Sequence, residues 1–427
     1  MLGIVVVCLI LWICALVYLR DKLVNQGHPL PPAYPGMLPI IGHTHLLLTD
    51  TINIWLRLKK MCQYSIQQGG VICCKFGFDI YYLITDPEDA LVVANTCLDK
   101  LFLYSFGKYW LGDGLITGSG DHWHRHRQML RSSFSLSIIN GYLDVFNSQA
   151  RILLKGLEGS LEEGSFYPIP HLKHFALRSS YLTTFGKTVN DEATFPKYLK
   201  ATDGMLKLAM ERFQKFWLHN DYIHALLGYK KKENELVACT NKISDEIIQT
   251  KRAILNKVID KTAYVPFQPL IHLMLEQHTS NPFNDQEISE ELHTAVVAAF
   301  DTTSRSLQSI FLMIGSFPKV QERMYEEIME VVGKDRDVHK DDLRKLVYTG
   351  AVIKESMRLI PTVPVIGRYI DKDVKLSKTW AMTAMKIAVS HVVRKFVITA
   401  DYTKLQSSLE LTLKAASGHD ISLKLRN

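Results

Sequence analysis

The chain opens on an uninterrupted apolar run: Gly3 to Leu19 reads GIVVVCLILWICALVYL, and Arg20, Asp21 and Lys22 end it abruptly. A run of that length sits at the lower end of what crosses a bilayer. No basic segment precedes it and no small-residue cleavage site follows, so residues 1–22 read as an uncleaved signal anchor. Arg20 and Lys22 on its C-terminal side leave the rest of the chain on the cytoplasmic face. Residues 23–43 carry Pro29, Pro31, Pro32, Pro35 and Pro39. Fixed φ angles there exclude helix and favour extended geometry, which predicts a stiff hinge leading away from the membrane.

Beyond the hinge the pattern alternates briefly, predicting strands over Val71–Phe76 and Ile80–Ile84 with Gly77–Asp79 as the turn. From Asp86 onward helical spacing dominates. It predicts helices over Pro87–Ala94, His122–Ser133, Ile138–Leu157, Asp191–Trp217, Asn234–Lys257, Ser289–Gly315, Pro318–Val332, Asp341–Leu359 and Thr379–Phe396. Alternation returns at Leu409–Leu413 and Asp420–Leu425. No repeat of 20–50 residues is visible. The expected fold is α+β, mainly α, with one domain over residues 44–427.

Composition narrows the function classes. The net charge is +7 in 427 residues, and Lys and Arg gather into no tail or stripe, which argues against a nucleic-acid partner. A mildly positive surface suits an anionic membrane face or an acidic redox protein. The seven cysteines, Cys8, Cys14, Cys62, Cys73, Cys74, Cys97 and Cys239, are odd in number and form no CxxC pair. Reduced thiols on the cytosolic side account for them better than a disulfide framework.

Three clusters carry candidate chemistry. In Trp123-His124-Arg125-His126-Arg127, Trp123 and Arg127 are four apart and share a helix face, two donors suited to carboxylates. His122, His124 and His126 alternate at i, i+2, which cannot gather three imidazoles on one face, so a metal site at these histidines is not expected. In residues 293–311 an apolar stretch ends at Asp301, Thr302, Thr303 and Ser304. Their side chains compete for backbone carbonyls, predicting local opening of the helix and room for water. An acid beside a hydroxyl in an apolar wall is what proton delivery needs. Glu355 and Arg358, three apart in KESMRLIP, can pair on one face.

In this order the anchor, the Pro-rich hinge, W-x-x-x-R, A-A-F-D-T-T and K-E-S-M-R-L-x-P resemble the cytochrome P-450 superfamily, with wording closest to the insect-like members of its family-4 clan. The resemblance also takes in FPKVQERMYEEIMEVVG and DLRKLVYTGAVIKESMRL, and runs to about Ser377 and again from Lys378. It implies a haem b monooxygenase in the endoplasmic reticulum (microsomal) membrane. The enzyme would take electrons from NADPH–cytochrome reductase and place one oxygen atom of O2 into a lipophilic substrate, such as a fatty acid or xenobiotic. It further implies that Trp123, Arg127 and Arg368 hold the haem propionates and that Asp301 and Thr302 deliver protons to bound oxygen. Glu355 and Arg358 become the buried structural pair beneath the haem. Ala299 stands where the family usually has Gly, and Ala298 where many family-4 members carry a haem-linking Glu.

One family element has no counterpart. The loop F-x-x-G-x-R-x-C-x-G, whose thiolate is the iron ligand, should follow the ExxR helix, yet GRYIDKDVKLS runs directly into KTWAMTAMKIAVSHVVRKF. Roughly sixty residues are missing relative to the family pattern, and no cysteine follows Cys239. His391 lies turns beyond the junction and reads as a helix-face histidine. Two readings follow: an internally deleted, impaired monooxygenase, or a non-catalytic membrane-anchored isoform that binds a lipid or a partner.

Overall fold

The computed structural model describes residues 31–77, 79–162, 164–186, 191–255, 267–276, 282–370, 396–409, 412–417 and 420–425. The anchor, the hinge up to residue 30, the 377/378 junction, the Thr379–Phe396 helix up to residue 395 and His391 fall outside these residues. Among the described residues no helix is long and apolar enough to cross a membrane. The chain divides into two compact units, the smaller of which holds residues 1–97 and the larger most of 98–427.

In the smaller unit, helix α1 (Thr51–Gln67) starts at Asp50, whose carboxylate accepts from the backbone N–H of Ile52 and Asn53, satisfying two of the orphan donors at a helix start. Strands β1 (Val71–Phe76) and β2 (Asp79–Ile84) pair antiparallel from Val71↔Ile84 to Phe76↔Asp79. The expected turn is met by Gly77 at φ 62°. Helix α2 (Pro87–Thr96) is capped by Asp86 and has Pro at its first position, where the missing N–H costs nothing.

The described end of the hinge is more than a spacer. The Tyr34 N–H donates to the Cys73 carbonyl at 2.9 Å and His43 N–H to that of Lys75 at 2.6 Å. The His43 ring bridges Tyr34 O and Lys75 N–H. Residues 32–43 therefore lie along β1 and complete its hydrogen bonding, a tertiary pairing that proline content alone does not reveal.

The larger unit is mainly helical. Its principal helices are α3 (Gly120–Leu130), α4 (Leu143–Glu158), α5 (Ile169–Phe185), α6 (Asp191–Gln214), α7 (Tyr229–Leu255), α8 (Asp285–Ser316), α9 (Pro318–Val331) and α10 (Val347–Leu359). Strands β3 (Ser165–Phe166), β4 (Phe396–Thr399) and β5 (Ile421–Leu425) form an antiparallel sheet in the order β3-β5-β4. Helix α8 is the axis of the core: Leu292, Val296, Phe300, Leu307, Ile310, Phe311 and Ile314 are all buried in one cluster with Leu172, Leu177, Tyr181 and Phe185 of α5. Each such side chain contributes roughly 1.5–3 kcal/mol by leaving water.

Several expectations change here. The helix expected over Ile138–Leu157 is two pieces, Leu136–Asn140 and α4, broken at Gly141 and Tyr142. The one expected over Asp341–Leu359 breaks at Leu346, whose backbone leaves the helical region at ψ 64°. Phe396 begins a strand instead of ending a helix, and the expected strand at Leu409–Leu413 is the space between strands Gln406–Leu409 and Leu413–Ser417. Helix α8 does not open at Asp301–Ser304. Thr302 and Ser304 hydroxyls bond back to the Ala298 and Asp301 carbonyls, and the helix stays continuous for 32 residues, because these carbonyls accept a second donor without leaving the ladder.

Candidate functional site

A capping box starts α8. Asn284 Oδ1 accepts from Glu287 N–H and Glu287 Oε2 accepts from Asn284 N–H, both at 2.9 Å. The two following carboxylates face the segment 111–118 and α3. Glu290 accepts from Asp113 N–H and Glu291 from Leu115 N–H. That segment fits closely: a Cβ at Gly114 would run into Thr294 Oγ1 and the Glu290 carbonyl, so glycine is needed for the backbone to approach. The Leu115 carbonyl, held in this way, accepts from Trp123 Nε1 at 3.1 Å and from Lys100 Nζ at 3.1 Å.

Lys100 is the cation that the motifs did not single out. Its ammonium lies 5.5 Å from the centre of the Trp123 ring, within cation–π range. Its backbone bridges to Arg368, and Tyr369 N–H donates to the Asp99 carbonyl at 3.0 Å. Burial first, then the Arg368 charge, push the Lys100 pKa down to about 8, against a smaller upward pull from Glu291. Two like charges drawn together at a half-buried place favour an anion between them. The signal in the sequence is faint: Lys100 lies 23 positions before Trp123, and only the fold turns that separation into contact.

The predicted cradle is therefore composed differently. Trp123 and Arg368 come together with Lys100, whereas Arg127 is exposed one turn along α3 and joins no hydrogen bond or ion pair among the described residues. Trp123 spends its one N–H on a backbone carbonyl, so the charge facing a carboxylate would come from Lys100 and Arg368.

Asp301 and Thr302 sit on adjacent faces of α8 and do not bond each other. The buried Asp301 carboxylate accepts from Arg305 Nε at 2.9 and 3.0 Å and from Thr412 Oγ1 at 2.6 Å. Beside Thr302, Ala298 and Ala299 are exposed although Val296, Val297, Phe300 and Asp301 around them are buried. The middle of α8 thus carries a short, open, small-residue face within an otherwise buried helix.

Glu355 and Arg358 pair bidentately, at 2.7 and 2.8 Å. They are not buried: the side chains are 55% and 67% exposed. Their partner pulls the Glu355 carboxyl below its usual range and raises Arg358. In water such a pair adds little stability, so the expected buried-network role does not hold among the described residues. Exposed Leu359, Val363, Val365, Ile366 and Tyr369 follow it, an apolar edge of the kind that normally packs under further chain.

The residues fit haem at one end. The Lys100–Arg368 pair suits its carboxylates and the Ala298–Ala299 face suits a flat apolar group. For the iron, the described thiols are Cys62, Cys73, Cys74, Cys97 and Cys239. None belongs to α8 or to the chain after the ExxR helix, and desolvation pushes the Cys74 thiol up to about 12, away from the thiolate that binds metal.

Comparison with known proteins agrees with this architecture. The cytochrome P450 family model matches residues 32–383. The chain is 31% identical over 315 residues to cytochrome P450 4c21 of Blattella germanica, covering 70% of this chain and 62% of that protein. It is 29% identical over 373 residues to human cytochrome P450 4V2, covering 83% and 70%. It is thus aligned with less than two thirds of the cockroach relative's length. In fold it matches the crystal structure of the cytochrome P450DA heme domain with a TM-score of 0.74 at 17% identity, over 93% of this chain and 98% of that one. A family model matched over most of the chain, in-order motifs and a mainly helical fold around α8 lead to one conclusion: this chain belongs to the cytochrome P450 family, whose cofactor is haem.

Proposed function

We propose that the chain is an impaired form of a membrane-anchored haem-thiolate monooxygenase that inserts one oxygen atom of O2 into a lipophilic substrate such as a fatty acid or xenobiotic. The carrying observation is the pairing of Lys100 and Arg368 beside Trp123, together with the lack of any cysteine after Cys239. Haem, when bound, supplies the oxygen-activating chemistry. Lys100 and Arg368 would neutralise its carboxylates, Trp123 would hold Lys100 in place, and Arg127 would reach them only by turning inward from solvent. Asp301 and Thr302 remain the candidates for moving protons, with the Asp301 carboxylate oriented by Arg305 and Thr412. By the same reading, residues 1–22 fix the chain to the cytoplasmic face of the endoplasmic reticulum, and NADPH–cytochrome reductase is the electron donor.

A non-catalytic role, binding a lipid or partner, is favoured by one observation: the Glu355–Arg358 pair and the apolar edge after it stand open. Expressing the chain in microsomes, reducing it with dithionite and adding carbon monoxide separates the readings. We expect no Soret band of the thiolate type. Such a band would overturn the claim of impairment, and its absence would leave only non-catalytic roles for this chain.

A further inference from the structure

Helix α3 and the start of α8 bring together three groups that neither the haem cradle nor the core uses. His122 and His126 are four apart on α3, and their rings stand 4.0 Å apart between centroids. Glu287 faces them from the first turn of α8, and one ligand atom from each of the three lies within 4.8 Å of the others. A pair of histidines at i, i+4 on one face, joined by a carboxylate from elsewhere, is a ligand set for a divalent transition metal. His124, between them, points elsewhere and is exposed.

The surroundings prepare the ligands. His126 is fully buried, and its Nδ1 lies 2.7 Å from Glu291 Oε1. Glu291 is itself buried and held by Leu115 N–H. A carboxylate in that position accepts from an Nδ1 proton, which leaves Nε2 facing Glu287 Oε1, 3.4 Å away, as the atom open to a proton or a cation. This is the outer hydrogen bond that orients metal-binding histidines. Glu287 is likewise fixed, because its Oε2 accepts from Asn284 N–H in the helix cap and leaves Oε1 for the site. A cation between Nε2 and Oε1 takes the place of a proton there. Arg125 supplies one in the metal-free chain: its guanidinium pairs with Glu287 and lies 3.2 Å from His126 Nε2.

We propose that His122, His126 and Glu287 form a Zn2+ site that fastens α3 to the N-terminal turn of α8, with Arg125 as the built-in competitor for the cation position. Two imidazoles and one carboxylate suit Zn2+, with water as the fourth ligand. Ligand atoms in a tetrahedral zinc site stand about 3.3–3.5 Å apart, given bonds of about 2.0–2.1 Å. Rotation of the exposed His122 ring supplies the contraction, and displacement of the Arg125 side chain vacates the centre.

The test is equilibrium dialysis of the full-length, metal-stripped chain in detergent against Zn2+, without an affinity tag. Wild type should take up one equivalent more than His122→Ala. Glu287→Gln should bind that equivalent about tenfold to a hundredfold more weakly. His124→Ala should match wild type and Arg125→Ala should bind more tightly, since it removes the competitor. The cysteines contribute equally to every variant, so the differences report this site. His122 and His124 are both exposed, so loss of folding does not confound that comparison. Equal stoichiometry and affinity in wild type and His122→Ala would overturn the site, and weaker binding in Arg125→Ala would overturn the competitor role.

Discussion

Burial without full compensation governs the Glu233–His224 pair. The two side chains are buried, the imidazole Nε2 lies 3.0 Å from a carboxylate oxygen, and neither makes an aligned hydrogen bond. Desolvation, outweighing Lys230 and Arg212, raises the Glu233 pKa from 4.5 to about 7, and the same burial lowers His224 to about 4. A carboxyl whose folded pKa is raised keeps its proton in the folded state while the unfolded chain loses it. Its contribution therefore falls as pH rises from about 4.5 to about 7. We predict that Glu233→Gln stabilises the chain on the order of 2 kcal/mol at pH 8, and that the gain shrinks by pH 5. Urea denaturation at the two pH values measures this, and an equal effect at both would refute it. Lys100 follows the opposite sign. Its folded pKa of about 8, below the usual 10.5, means that the charged form opposes folding at neutral pH. Lys100→Met should raise stability by about 1 kcal/mol at pH 7, a figure already reduced for partial solvent screening. The gain should fade from pH 8 to about 10.5, while haemin uptake should weaken on the proposal that Lys100 neutralises a haem carboxylate.

At the scale of the element, α8 separates a carboxylate held by side chains beyond its own turn from a hydroxyl bonded only to its own helix backbone. Asp301 is gripped by Arg305 and Thr412, so Asp301→Ala leaves the Arg305 guanidinium, its side chain only 12% exposed, without its partner and should cost about 3 kcal/mol. Thr302 only adds a second donor to the Ala298 carbonyl, and Thr302→Ala should stay within about 1 kcal/mol. Comparable losses from both would mean that Thr302 carries tertiary weight absent from these contacts. Glu355→Gln, on an exposed pair, should leave the denaturation midpoint unmoved. The same helix marks what the residue pattern can reveal. Its C-terminal end and apolar faces follow from residues close in sequence, as do β1, β2 and the Trp123 helix, whereas its first turn and the Asn284 capping box lie before the predicted start at Ser289. Helix α5 was hidden because it is buried nearly all round and so lacks a polar face to set its period. Lys100, Glu287 and Thr412 were hidden for another reason: each meets its partner across a long sequence separation, which no local period encodes. The i, i+2 argument against three histidines holds, since His124 stands apart. A pair at i, i+4 completed by a distant carboxylate lies outside what that spacing excludes.

For the molecule as a whole, the question is whether the chain on the far side of residues 377/378 still closes the core built before it. Ile398, Ile421 and Leu423 are buried in the same cluster as Ile310, Phe311 and Ile314 of α8. Gln321 of α9 fastens β4 from both sides of one peptide position: its Nε2 donates to the Ile398 carbonyl and its Oε1 accepts from Ile398 N–H, each at 2.8 Å. The core of the larger unit is therefore continuous across the junction, while the ExxR edge is left open. Stability should be unequal in the same way. In hydrogen exchange, amides of Leu307–Ile314 and Val397–Thr399 should be the most protected, opening only with global unfolding, and those of Thr362–Ile366 should exchange fastest. Gln321→Ala orphans a buried N–H and a buried carbonyl, at a cost of about 2 kcal/mol. It should deprotect β4 before α8. If β4 exchanged as fast as the ExxR edge in the wild-type chain, the C-terminal strands would not be part of the folded core, and a stable core spanning both sides of residues 377/378 would have to be abandoned.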